Sequence, residues 1–129
     1  NATRKYLFKN VRFQYIGSYR YSSSTSFNRG IIVGSQDYWN HALFDGISLP
    51  VSEDGTEWGG LAFYPGAGIV RNSIIMSTYA GLVQYYVTSY NGCGFFNNKI
   101  IGAIRGIRVE YPRVHFSNYN EISMLKKSI

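Results

Sequence analysis

At 129 residues, 45% hydrophobic and 16% charged, with twelve Tyr, eight Phe and fourteen Gly, the chain has the material for one packed domain and excludes an intrinsically disordered segment. No apolar run approaches the roughly 18 residues that span a bilayer, so membrane insertion is not expected. The net charge of +6 is segregated: residues 1–36 hold six Lys or Arg and no acid, residues 37–70 five acids and no Lys or Arg, and residues 71–129 seven bases and two acids. Since no basic run exceeds Arg4-Lys5 or Lys126-Lys127, a nucleic-acid tail is not indicated.

The sequence opens at Asn1 without an initiator Met or a charged-then-apolar leader, which reads as a mature product or a piece of a longer chain. From Val11 to Tyr15, apolar residues alternate with Arg12 and Gln14, predicting a half-buried strand that ends at Gly17. Ser18 to Asn28 reads as a polar loop or flat edge strand. Ile31-Ile32-Val33, bracketed by Gly30 and Gly34, predicts a short buried strand. The stretch 37–60 alternates turn residues with isolated aromatics and reads as an acidic loop excursion. Strand character returns at Leu61 to Tyr64 and stops at Pro65-Gly66.

The second half is more regular. Asn72-Ser73-Ile74-Ile75 recurs as Asn98-Lys99-Ile100-Ile101, 26 residues on, and Gly81-Leu82-Val83 recurs as Gly106-Ile107-Arg108, 25 residues on. A degraded copy follows at Asn120-Glu121-Ile122-Ser123, 22 residues after Asn98. Such a period suits one coil of a β-solenoid, in which an Asn at a corner tolerates a left-handed backbone and a β-branched pair turns inward. The only helix candidate is the short tail Ile122 to Ile129.

On "NSII…AGLV" and "NKII…RGIRV", the repeat region 68–124 resembles the right-handed parallel β-helix of pectate-lyase-like proteins and phage tailspikes. The expected fold class is therefore all-β, a short parallel β-helix in a single domain spanning 1–129. The same spacing also suits an antiparallel β-sandwich or jelly roll, as in a trimeric fibre tip.

Chemistry is sparsely marked. Asp45, Glu53, Asp54 and Glu57 lie near Trp39 and Trp58, and acids beside aromatic platforms are what sugar hydrolysis or elimination uses, with Arg105 or Arg108 as partners for an anionic sugar. Against this, Asp54-Gly55 has the composition of a turn, and no spacing rule brings two acids together. His41, His115 and Cys93 form no metal or nucleophile signature, the glycines open no phosphate loop, and no metal or cofactor is expected.

The remaining signal is aromatic. Tyr38, Trp39, Trp58, Tyr85, Tyr86 and Tyr90 sit among Ser and Asn, a composition suited to recognition surfaces, where rings supply area and small polar groups supply hydrogen bonds. The sequence thus favours a non-catalytic module that binds a cell-surface glycan or protein receptor. The tailspike resemblance implies a homotrimeric fibre segment at an extracellular or virion surface. A polysaccharide lyase or glycoside hydrolase using the 45–57 acids is the alternative. Single-stranded nucleic-acid binding by basic residues and stacking tyrosines ranks below both.

Overall fold

The computed structural model describes residues 5–13, 31–33, 41–50, 59–63, 67–77, 80–85, 93–102, 105–110 and 115–124. Thirteen strands run through them: β1 Lys5–Lys9, β2 Ile31–Val33, β3 His41–Asp45, β4 Ser48–Leu49, β5 Leu61–Phe63, β6 Ala67–Arg71, β7 Ile74–Ser77, β8 Ala80–Tyr85, β9 Cys93–Phe96, β10 Lys99–Gly102, β11 Arg105–Glu110, β12 His115–Asn118 and β13 Glu121–Met124. No described residue is helical.

All strand pairings are parallel, and they build three sheets. Sheet A has the order β1-β3-β6-β9-β12, sheet B β13-β10-β7-β4, and sheet C β11-β8-β5-β2. From β3 onward the chain visits the sheets in the order A, B, C and then returns to A one layer down. The first coil follows the same order, with Arg12 bridging Ser48 of sheet B in place of a full strand. This is a short parallel β-helix, and the antiparallel sandwich is excluded.

The coils begin earlier than the repeat suggested. Among the described residues the first strand is Lys5–Lys9, ahead of the expected Val11–Tyr15; Asn10 turns the backbone through φ 54° before Val11, Arg12 forms a single bridge, and Gln14 and Tyr15 lie outside the described residues. The acidic stretch read as a loop excursion contains β3 and β4, so it contributes a coil of its own. Its residues 51–58 lie outside the described set, as do 18–28 and the end of the supposed helical tail. Ile122 to Met124, the start of that tail, form β13.

Register corrects the repeat by one residue. Lys99 pairs with Ile74, so Asn97 and not Asn98 is the counterpart of Asn72. The residue entering the A-to-B corner has positive φ in every coil: Asn10 (54°), Gly46 (64°), Asn72 (52°), Asn97 (52°) and Tyr119 (56°). Left-handed backbone favours Gly and Asn, and three of the five are Asn.

The following corner residue supplies a hydrogen-bonded ladder. Ser73 Oγ accepts from Ile47 N–H (3.0 Å), Asn98 Oδ1 accepts from Ser73 N–H (3.1 Å), and Asn120 Oδ1 accepts from Asn98 N–H (3.1 Å). The amide nitrogens of Asn98 and Asn120 donate back to Val70 O and Phe95 O, each at 2.9 Å. Backbone groups turned out of the sheets at the corner are thereby satisfied, as burial requires.

The core fills the space between the sheets. Phe44, Phe63, Phe95, Ile47, Leu49, Leu61, Val70, Ile75, Leu82 and Ile100 are buried, each worth about 1.5–3 kcal/mol relative to exposure. Phe8 stacks on Phe44 at 5.0 Å, and contacts continue through Phe63 and Phe95 to the ring of His115. The repeated glycines have a packing reason. A Cβ on Gly81 would meet Ile100 Cγ2 at 2.4 Å, and one on Gly106 would meet Ile122 Cγ2 at 2.7 Å, so each glycine admits an isoleucine of sheet B.

Candidate binding surface

Alternation along a strand sends every second side chain of sheet A outward. In register across the sheet stand Leu7, Leu43, Ile69, Gly94 and Phe116. The column spans four strand spacings, about 19 Å. It is apolar throughout, and Leu7 and Phe116 are each 64% exposed. Beside it a groove of about 440 Å³ is lined by Leu43, Ile69, Phe96 and Phe116, with Lys5, Tyr6 and His41.

Gly94 shapes the groove. Its missing side chain is replaced by the Phe96 ring, whose Cε2 lies 2.4 Å from where a Cβ would stand. The groove therefore presents aromatic faces, Phe96 and Phe116, together with cationic and hydrogen-bonding groups from Lys5, His41 and Tyr6. Such a surface suits a ligand that is apolar on one face and polar at its rim.

The polar edge of sheet A is engaged in structure. Asp45 Oδ2 accepts from Arg71 Nη2 at 3.0 Å, Asp45 Oδ1 accepts from Asn72 Nδ2 at 3.0 Å, and Asn72 Oδ1 accepts from Asn97 Nδ2 at 2.8 Å. The Asn72 bond, followed by that from Arg71, lowers the Asp45 pKa from its ordinary 3.8. A general acid needs the opposite shift, so Asp45 is poorly suited to protonate a leaving group.

Cys93 and His115 are register partners on adjacent strands, a neighbourhood that sequence spacing alone did not suggest. They are not poised as a nucleophilic dyad. Burial pushes the Cys93 thiol up to about 12, against a smaller opposing effect of a backbone hydrogen bond from Gly68. The His115 ring is engaged at both nitrogens, Nδ1 with Gln84 Oε1 and Nε2 with Ser117 Oγ, each at 2.6 Å. Because Gln84 Oε1 only accepts, Nδ1 donates to it. Burial lowers the His115 pKa, and the neutral ring then accepts a hydrogen bond from the Ser117 hydroxyl at Nε2.

Of the residues singled out from sequence, Tyr38, Trp39, Glu53, Asp54, Glu57, Trp58, Tyr86 and Tyr90 lie outside the described residues. Tyr85 ends β8. Arg105 is exposed and Arg108 half-buried, both on β11 in sheet C, whereas Asp45 is in sheet A. Asp45 and the two arginines thus belong to different sheets. Among the described residues no group of three or more His, Cys, Asp or Glu could hold a metal, and no helix is long and apolar enough to cross a membrane.

Sequence reasoning missed the groove residues Lys5, Tyr6, His41, Phe96 and Phe116. A signal for the apolar column existed. Aligned on the corner, the coils read LFKN, LFDG, IVRN, GFFN and FSNY, and the outward column is the position three before each positive-φ residue. Comparison with protein-family models, with curated proteins and with solved structures found no match.

Proposed function

We propose that this chain is a non-catalytic recognition module, a β-helical scaffold that binds a glycan or protein receptor along the outer face of sheet A. The apolar groove carries this reading, because it combines the exposed rings of Phe116 and Tyr6 with the partly buried ring of Phe96 and the polar groups of Lys5 and His41. Aromatic faces stack on the apolar faces of sugar rings or on apolar side chains, while the cation and imidazole select hydroxyl, carboxylate or carbonyl groups. The tailspike resemblance, from which the extracellular or virion-surface expectation comes, fits a scaffold that presents such a face.

The engagement of Asp45 with Arg71 and Asn72 favours binding over hydrolysis or elimination. The test is a glycan array and a cell-binding assay with the intact chain, repeated with Phe116→Ala and Tyr6→Ala. Each substitution should weaken binding about tenfold or more, as loss of an aromatic anchor does, while the β-sheet circular dichroism spectrum is unchanged. Release of reducing ends or unsaturated products from an acidic polysaccharide would overturn the reading, and so would binding that neither substitution alters.

A further inference from the structure

The groove beside the outward column lies on the side of the solenoid and not on an end. Three of the strands under it, β3, β6 and β9, are interior to sheet A, so a further coil stacked at either end would lengthen the groove without covering it. Ala42, Gly68 and Gly94, small residues of these strands, leave its space, and Leu43, Ile69, Phe96 and Phe116 wall it. At about 440 Å³ it has the size of a ligand pocket.

Its polar groups are few and gathered at one end. Apart from the buried Cys93 thiol, which already takes a backbone hydrogen bond from Gly68, the described lining residues offer polar side-chain atoms only at Lys5, Tyr6 and His41. Lys5 and His41 are register partners at the start of β1 and β3. The backbone beneath adds little, because β3, β6 and β9 are each paired on both sides and their N–H and C=O groups are engaged in the ladder. A bound sugar would carry hydroxyl groups into this space on every ring, and a buried hydroxyl without a partner opposes binding. Apolar side chains fill the same space without that penalty.

Charge defines the other half of the ligand. Asp45 is the single acid in the five strands of sheet A, and Arg71 and Asn72 hold it. Lys5 is exposed and forms no ion pair among the described residues. The chain carries a net charge of +6, whose field draws in acidic partners.

We infer that the occupant of the groove is an extended segment of a protein receptor, with an acidic residue over Lys5 and His41 and apolar residues two and four positions away over Ile69 and Phe116. The inference rests on the outer face of sheet A being the recognition surface, and it selects the protein receptor over the glycan. Spacing supports the choice. From β3 to β12 is three strand spacings, about 14 Å, and residues i and i+4 of an extended chain stand about 13 Å apart with i+2 on the same face. A segment crossing the strands therefore sets one charged and two apolar side chains against the groove, while its intervening residues face solvent.

The test pans a displayed library of random heptapeptides against the intact chain, with a glycan array run beside it. Enriched sequences should carry Asp or Glu at one position and apolar or aromatic residues two and four positions away, in either chain direction. The best of them, synthesised and titrated by fluorescence anisotropy, should bind Lys5→Glu and Ile69→Ala each about tenfold or more weakly than wild type. Replacing the acid of that peptide by lysine should reverse the preference, so that Lys5→Glu becomes the tighter partner. Circular dichroism of each variant confirms that the fold is retained. Enrichment without this spacing, or a peptide indifferent to both substitutions or to the exchange of charge, would overturn the inference. Glycan binding that Ile69→Ala weakens, with no peptide enriched, would overturn it and leave the face a recognition surface. Binding of neither kind would overturn both readings.

Discussion

The A-to-B corner and the outer face of sheet A are both built from one residue per coil, three positions apart, yet they obey opposite rules. At the corner, successive coils bond to one another through side chains: Asp45 to Asn72, Asn72 to Asn97, Asn98 to the Asn120 side chain and, through Oδ1, to the Ser73 backbone N–H. On the face, Leu7, Leu43, Ile69, Gly94 and Phe116 differ in size from coil to coil; Leu7, Ile69 and Phe116 are exposed, Leu43 is half-buried, and the Phe96 ring covers Gly94. The corner defines where each coil turns and which residue lies above which. The face is carried along in register. Substitutions should therefore be costly at the corner and cheap on the face, except where the face's own backbone is crowded.

That exception carries the largest expected effect. Gly68 has φ +152°, and a Cβ there would stand 1.9 Å from Ala42 O and 2.9 Å from the Ala42 C and N atoms, all backbone. Backbone cannot swing aside as a side chain can. Gly68→Ala should cost about 3 kcal/mol or more, read as a lowered urea midpoint. Phe116→Ala on the same sheet should change stability by less than about 0.5 kcal/mol. Equal losses at the two positions would remove the distinction between a crowded backbone and a free outer face.

At the corner, Asn98→Ala comes next. Asn98 is 2% exposed, and its side chain serves Ser73 N–H, Val70 O and Asn120 Oδ1. Truncation leaves buried backbone groups without partners, at a cost of about 2–3 kcal/mol. Asn98→Leu should be no better, since a similar volume without the amide leaves the same groups orphaned. If the leucine variant matched wild type in chemical denaturation, packing and not the amide ladder would be what holds the corner.

The sequence made the second half of this architecture legible because there the corner residues are asparagines and the inward residues β-branched. Asn72-Ser73-Ile74-Ile75 and Asn98-Lys99-Ile100-Ile101 look alike, and they are neighbours in the sheet. Matching letters place them one residue out of register, because two asparagines, Asn97 and Asn98, occupy successive positions with different duties. Asn97 takes the left-handed backbone, and Asn98 sends its amide inward. The earlier coils were hidden by substitutions that obey the same physics. Gly46 replaces Asn where positive φ is needed, and Ile47 and Val11 replace the polar ladder residue, so no repeated letter marks them. The groove was harder to find, because its residues share only a position relative to the corner and their types differ from coil to coil. Tyrosine-rich composition drew attention to Tyr38, Trp39, Tyr86 and Tyr90, none of which is among the described residues.

The smallest effect probes the exposed side of the same corner through pH. Asn72 and Arg71 hydrogen-bond the ionised Asp45 carboxylate, and the charge of Lys9 adds to their effect, so its folded pKa lies below 3.8. The unfolded chain therefore binds this proton more readily than the folded one. Stability from the pair is fully present above the unfolded value, and it is lost as pH falls through the folded value. Asp45→Asn keeps the shape and removes the charge. The difference in Tm between wild type and this variant should be steady from about pH 7 to pH 5, narrow below about pH 4, and vanish once Asp45 is protonated. For Asn98→Ala, whose lost partners do not titrate, the corresponding difference should show no such narrowing. An Asp45→Asn difference that stayed flat into strong acid would mean that the carboxylate contributes by shape alone, and that the exposed rail of the corner, unlike its buried ladder, adds nothing to holding the coils in register.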